Sequence, residues 1–479
     1  MPQPREFHVA LTRLTHDTLM DHLRREDGDE DLTFATWTPS TGASRDTVLL
    51  TSLILPEDDE RERHGNVHFK HPYLRRAASV AEGRKEGLAL LHSHPEATTW
   101  QRLSSDDRET EGLRVAPFAA SYTGFPFVGL TLSTGNGFWS ARRWERRGPN
   151  QYEPHDADAV RVVGAHVSVS FNPKTRPAPR IGDDLRRTIS VWGDATQKDI
   201  SRLRVGIVGL GSVGSIVAEA LARIGVTRVK LIDFDDLKPH NRDRTLHATA
   251  ADAKKSVNKA ELSARSIRDS ATVTPFFPEA VNGSVVTKEV GRHVIDCDIL
   301  FSCVDRPWPR HVLNAIAYAH LIPVIDGGII VRFIEGRFDG MDWRCQTAGP
   351  ERACLQCTRA YRNDAVGVER AGQLDDPEYI KGLTDQGLAP RSENIFPLSL
   401  GLAAQEMHHF TMLVAQLKGQ HDVGLQRWHY YPPFQDSQPT ACLANCDFQH
   451  MIAKGDGMPD VYGTPAPPKE EKLRKQSRR

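Results

Sequence analysis

The sequence predicts an α/β protein in two parts, an α+β unit followed by a doubly wound unit with a mainly parallel sheet. One observation carries the second part. From about residue 183, short apolar runs (VGIVG at 205, VKLID at 229, DILFSCV at 298, IPVIDGG at 322) alternate with helical segments such as IVAEALARIG. Strict strand–helix alternation is the pattern of a parallel sheet covered on both faces. A second observation separates the first part: residues 1–150 place strands and helices without that alternation. The stretch 151–182 holds Pro154, Pro173, Pro177 and Pro179 and reads as a linker. Within it, VRVVGAHVSVSF is compatible with one more strand of the first unit. The second unit then covers 183–455, and the Pro-rich, finally charged tail 456–479 is expected to be disordered.

Taking the elements in order, THDTLMDHLRRE sets Leu19, Met20 and Leu23 on one side at helical spacing. DLTFATW, DTVLLTSLIL and PFVGLTLST are rich in β-branched and apolar residues and read as strands. GLALLHSHP runs an apolar strand into two histidines, so His92 and His94 fall at a strand's end. LSLGLAAQEMHHFTMLVAQL, residues 398–417, reads as a late helix. The chain has 479 residues, 39% hydrophobic and 26% charged, with a formal net charge of −1. That balance provides no field for nucleic acid or an anionic membrane. No apolar run approaches the ~20 residues of a membrane helix, and the N-terminus lacks a signal-peptide core. A cytoplasmic protein is expected.

Residues at i and i+2 on a strand face the same way, so His92 and His94 can reach one ion. A hydrolytic zinc takes three protein ligands and leaves one position for water. Asp107 is the expected third ligand, with Asp106 as fallback. Ser104 stands three before Asp107, placed to cap a helix or to donate to an oxyanion. Glu30, ahead of the LTF strand, is the candidate general base. Taken together, an early Glu, a strand, HSHP and S-x-x-D resemble the JAMM (JAB/MPN) metalloprotease family over roughly residues 5–150, although the spacer from His94 to Asp107 is longer than that family's usual one. The resemblance implies that His92, His94 and Asp107 hold catalytic Zn2+. It also implies that Glu30 activates the water and that Ser104 helps stabilise the oxyanion.

Gly209, Gly211 and Gly214 form G-x-G-x-x-G after a strand and at the start of a helix, where glycine backbone and helix N-terminus accept phosphate. With Asp233 ending the next strand, the loop alone suits NAD as well as ATP. The downstream residues are Asp235, Asn241, Arg244, Lys259, Asp305 and Arg310. Their order resembles the ThiF/MoeB superfamily, which includes ubiquitin-activating enzymes, over about 183–450. What the resemblance implies is ATP and Mg2+. Asp233 would bind ribose, Asn241 and Arg244 the phosphates and Lys259 the α-phosphate, while Asp305 places magnesium. Asp235 and Arg310 have structural alternatives, Arg310 as the group that orients Asp305. An upstream arginine, Arg187 in preference to Arg186, would reach the terminal phosphates of a dimer mate's site.

Cys354 and Cys357, with Cys442 and Cys446, form two close pairs. Four thiolates can close a tetrahedral structural Zn2+, and the "GP…CxxC" phrase resembles the zinc clip of ThiF/MoeB-like proteins. No cysteine lies between Thr358 and Pro397, where conjugating members carry their nucleophile, which leaves Cys345 as the candidate; Cys297 and Cys303 read as core. The combined resemblance implies adenylation of the C-terminal carboxylate of a ubiquitin-like protein ending in a small residue. The fused peptidase would process or remove that protein, in a bacterial conjugation pathway with an antiviral association and a ubiquitin-conjugating-type partner. Two other readings stay open: a sulfur-carrier-activating enzyme of cofactor or siderophore synthesis, and a scaffold whose JAMM-like part only binds the modifier.

Overall fold

The computed structural model describes residues 5–64, 66–149, 151–334, 337–375, 394–415 and 422–465, and the chain divides into two compact units. The first comprises residues up to Ala178 with Ala319–Leu321 and Ile452–Met458; the second comprises Pro179–Tyr318, Ile322–Met451 and the residues from Pro459 on.

In the first unit the strands are β1 (Glu6–Thr12), β2 (Leu32–Thr41), β3 (Arg45–Ile54), β4 (Arg61–His64), β5 (Asn66–Phe69), β6 (Gly87–His94), β7 (Phe127–Ser133), β8 (Phe138–Gly148), β9 (Gln151–Asp156), β10 (Ala159–Val163) and β11 (Val167–Phe171). Its helices are α1 (Arg13–Leu23), α2 (His71–Arg84), α3 (Ser105–Glu109) and α4 (Ala116–Thr123). Nine strands form one mixed sheet in the order β11-β10-β1-β3-β2-β6-β7-β8-β9, and β4 pairs with β5 apart from it.

The pleat sends alternate residues to opposite faces, and β6 shows it. Ala89 and Leu91 enter the core that holds Leu19 and Leu23 of α1. Leu88 and Leu90 enter the core that holds Tyr73 and Ala77 of α2 and Ala116 of α4. His92 and His94 continue the even-numbered series, and Ser93 continues the odd one. The segment expected as a linker contributes β9, β10 and β11 to this sheet. β10 pairs in parallel with β1, from His8 opposite Ala159 to Thr12 opposite Val163. Its short AVRVV run is buried throughout, and the prolines flanking it had disguised a central pairing as a connector.

In the second unit the strands are β12 (Arg204–Val208), β13 (Arg228–Asp233), β14 (Phe277–Asn282), β15 (Ile299–Ser302), β16 (Val324–Ile334), β17 (Arg337–Ala348), β18 (Leu425–His429) and β19 (Phe434–Gln438). The helices are α5 (Arg186–Trp192), α6 (Asp194–Arg202), α7 (Ser212–Arg223), α8 (Ala250–Lys255), α9 (Lys259–Ser266), α10 (Lys288–Ile295), α11 (Pro307–Ala319), α12 (Asn363–Arg370) and α13 (Phe396–Ala415). The sheet order is β14-β13-β12-β15-β16-β17-β18-β19. The run from β14 to β16 is parallel, and β17 to β19 add an antiparallel extension. The parallel half carries the alternation read from the sequence.

The expected disordered tail departs from that reading between residues 456 and 465. Val461 and Tyr462 are buried, Trp308 Nε1 donates to the Val461 carbonyl at 3.0 Å, and Gly463 N donates to the Val286 carbonyl at 2.8 Å. One valine and one tyrosine with backbone partners are enough to hold a Pro-rich segment down. Residues 466–479 lie outside the described residues. Among the described residues no helix is long and apolar enough to cross a membrane.

Candidate active sites

In the first unit β6 ends on the two histidines, and α3 brings up the aspartate. Ser104 caps α3: its hydroxyl accepts from Asp107 N at 3.0 Å, and the Asp107 carboxylate accepts from Ser104 N and Oγ at 3.3 and 2.8 Å. This reciprocal cap aims Asp107 Oδ2 at the strand end. Oδ2 lies 3.8 Å from His92 Nε2 and 4.0 Å from His94 Nε2, and the two Nε2 atoms lie 3.3 Å apart. Burial pushes the His92 imidazole down to about 3, and the Arg142 charge adds to the effect. A neutral His92 faces a second imidazole nitrogen and a carboxylate oxygen, so three ligand atoms converge. That donor set fits a divalent cation with an open fourth position.

The residue between the histidines joins the candidate base to this cluster. Ser93 N donates to the Asp31 carbonyl at 3.0 Å, and Asp31 N donates to Ser93 Oγ at 2.9 Å. Asp31 is fully buried and ion-paired to Arg61, so the backbone beside Glu30 is pinned to the histidine strand. Burial raises the Glu30 carboxyl above the usual range; the nearby Asp107 charge adds to the rise and His94 opposes it. Behind His92, Arg142 donates to Thr131 Oγ1 at 2.6 Å and forms a bidentate pair with Glu111. The Glu111 carboxylate also accepts from Trp144 Nε1 at 2.7 Å. This pair is not visible in the linear order of residues, because its two members come from separate elements.

In the second unit the glycine loop joins β12 to α7. Gly209 has φ +90°, and a Cβ there would meet the Cys303 carbonyl oxygen at 2.5 Å; a Cβ on Gly214 would meet the Gly209 carbonyl oxygen at 1.9 Å. Gly211 faces open space. Leu210 N and Asp235 N both donate to the Asp233 carboxylate, at 2.6 and 2.8 Å, and burial raises that carboxyl's pKa. Lys259, first residue of α9, donates to Asp235 Oδ2 at 2.8 Å. Asn258 ties its turn to the Asp233 and Asp235 carbonyls. Asn241 accepts from Lys238 N at 3.0 Å, and Arg244 donates to the His240 carbonyl at 3.0 Å. Asp305 is exposed beyond β15. Arg186 and Arg187 are exposed on α5, where the Arg187 carbonyl accepts from Ser190.

The four paired cysteines gather with their sulfurs within 4.8 Å of one another. Cys354 and Cys446 Sγ lie 3.6 Å apart. Backbone N–H groups of Cys354, Cys357 and Leu443 point at Cys442, Cys354 and Cys357 Sγ, at 3.2, 3.3 and 3.5 Å. Donors aimed at sulfur favour thiolate over thiol, which suits a tetrahedral metal.

The ThiF family model matches residues 185–414. The molybdopterin-synthase adenylyltransferase of Escherichia coli (strain K12) is 31% identical over 179 residues, which is 37% of this chain and 68% of that protein. The chain belongs to the ThiF family. The sulfur carrier protein ThiS adenylyltransferase of Bacillus subtilis (strain 168) is 30% identical over 141 residues, 29% of this chain and 40% of that protein. Among solved structures, E. coli MccB with AMPCPP and SeMet MccA aligns with a TM-score of 0.43 and 16% identity over 55% of this chain and 73% of that one.

Two expectations for the ThiF-family unit are corrected by the packing of α13 and β16. Arg310 does not orient Asp305: its Nε donates to Asp326 Oδ1 at 3.1 Å and its Nη2 to the Gly327 carbonyl at 3.0 Å. Asp326 is fully buried and also takes Ser302 Oγ at 2.6 Å and Arg344 at 2.8 Å. A buried carboxylate captures the nearest cation, and the exposed Asp305 has no such need. Cys345, the candidate nucleophile, is fully buried on β17. Burial pushes its thiol well above the ordinary range, and Glu406 of α13 adds to the rise. A catalytic thiol needs the opposite surroundings. Cys297 is core, as read, and Cys303 is half-buried, its thiol donating to Glu406 at 3.5 Å.

Proposed function

We propose that the second unit adenylates the C-terminal carboxylate of a small ubiquitin-like protein with ATP and Mg2+. We further propose that the first unit is a zinc peptidase of JAMM type acting after such C-termini. The observation that carries the first reading is the Lys259–Asp235 pair at 2.8 Å beside Asp233 and the glycine loop. It accompanies relatives named for adenylating a molybdopterin synthase and ThiS. The glycine loop and the start of α7 cradle the phosphates, and Asp233 takes the ribose hydroxyls. An attacking carboxylate oxygen bonds to the α-phosphorus, the bond to the bridging oxygen breaks, and pyrophosphate leaves with the electron pair. Lys259, released from Asp235, meets the charge growing on the α-phosphoryl oxygens. Asn241, Arg244 and the partner's Arg187 would serve the outer phosphates, and Asp305 would hold magnesium.

With Cys345 sealed, the adenylate passes to a thiol or sulfur donor outside this chain. That observation favours the sulfur-carrier variant of the same chemistry over a thioester on Cys345. In the first unit His92, His94 and Asp107 would hold zinc, which lowers the pKa of a bound water. Glu30 would accept the proton, and Ser104, released from Asp107, would donate to the oxyanion. Cys354, Cys357, Cys442 and Cys446 would hold the second, structural zinc. ATP–pyrophosphate exchange with a ubiquitin-like protein ending in glycine tests adenylation. The wild type exchanges label and Lys259→Met loses about 10²–10³ in rate; tight binding of NADH, or full exchange in Lys259→Met, would refute the reading.

A further inference from the structure

We infer that Gln101 is a positioning residue for the histidine–aspartate cluster: it fixes His94 in the tautomer whose Nε2 offers a lone pair to a divalent cation. This rests on the proposed metal site of the first unit. Gln101 stands in the spacer between His94 and Ser104, the part that is longer than the related metalloproteases usually carry. Its amide is oriented by a bond that does not involve His94. Nε2 donates to the Thr99 carbonyl at 2.8 Å, which only the NH2 end can do, since two carbonyl oxygens would repel. Oε1 therefore points the other way, and it lies 3.1 Å from His94 Nδ1.

An amide oxygen only accepts. The neutral ring of His94 then carries its proton on Nδ1 and leaves Nε2 bare. Nε2 is the atom that stands 3.3 Å from His92 Nε2 and 4.0 Å from Asp107 Oδ2. The loop is itself anchored, because Gln101 N donates to Ser140 Oγ at 3.3 Å. His94 is half-buried, so without this acceptor its ring would be free to rotate and to exchange tautomers through water. His92 has no such freedom: it is buried, and Thr131 lies against it. The long spacer thus supplies the half-buried ligand with the restraint that packing gives the buried one.

The test is Co2+ titration of the full chain after a chelator has emptied the histidine–aspartate site and left zinc at the four cysteines. Bands of a nitrogen–oxygen site are distinguishable from sulfur-to-cobalt charge transfer at the four cysteines. Gln101→Met, which keeps length and loses the acceptor, is expected to weaken Co2+ binding about 10–100-fold. Gln101→Glu, which keeps an acceptor, is expected to restore wild-type affinity. Unchanged binding in Gln101→Met, or equal loss in both variants, overturns the inference and leaves the metal site standing. A His92→Ala chain that binds Co2+ like the wild type overturns the metal site itself, and the role of Gln101 with it.

Discussion

Glu111→Gln isolates the charge that holds the floor of the histidine site. The Arg142 and Glu111 side chains are 4% and 1% exposed, so the change leaves a guanidinium buried without its counter-charge. Breaking such a pair costs about 3–5 kcal/mol. The glutamine retains one acceptor for Arg142 or for Trp144 Nε1, which places the expected loss at the lower end, about 3 kcal/mol. For a unit of this size each kcal/mol moves the midpoint by about 2–4 °C, so scanning calorimetry of the full chain should show a fall of about 6–12 °C in one transition. The double variant Glu111→Leu with Arg142→Met removes both charges at similar volume and should recover much of that loss. A Glu111→Gln midpoint within a degree or so of wild type, or a double variant worse than the single, would refute the view that a desolvated ion pair supports His92.

Three further outcomes follow from the two units. Cys442→Ser should lower the zinc content measured by chelator release from two ions per chain to one and reduce thermal stability, since a structural zinc contributes directly to folding. Iodoacetamide on the native chain should leave Cys345 unlabelled, and Cys345→Ala should retain pyrophosphate exchange, because the thiol is buried and its pKa raised. His16 is held down to about 4, by burial first and then by Arg13, and its Nδ1 accepts from Trp139 Nε1 at 2.9 Å. The unfolded chain therefore takes up a proton near pH 6.5 that the folded chain resists until about pH 4. Stability contributed above pH 6.5 is lost between those values, by about 3 kcal/mol in full. His16→Gln should flatten that part of the stability–pH curve measured by urea denaturation.

The periodic features of the sequence carried over well into three dimensions. HSH at the end of an apolar run became the end of β6, and S-x-x-D became a capped helix start. Both are local patterns, decided within a few residues by pleat and cap. G-x-G-x-x-G and the acid at the end of the next strand are equally local. What the sequence hid were partnerships across elements. Arg310 and Asp326 are sixteen residues apart on a helix and a strand, so the chain's order suggested the nearer Asp305. Cys345 looked available because Glu406 of α13, which adds to the rise in its pKa, stands 61 residues further along the chain. β10 looked like a connector because its partner β1 is at the other end of the unit. Gln101 carries no pattern of its own, and its meaning appears only when the amide is seen between Thr99 and His94.

The last described stretch of chain bears on any attempt to study the two proposed activities apart. Ile452–Met458 belongs to the first unit and Pro459 onward to the second, with Thr38 Oγ1 donating to the Ala453 carbonyl at 2.6 Å and Trp308 bonded to Val461. A gene cut at the proline-rich joint near residue 178 would deprive the upstream product of a piece of its own body encoded near the far end. Separate expression calls for grafting that heptapeptide back, or for silencing one centre by substitution within the intact polypeptide.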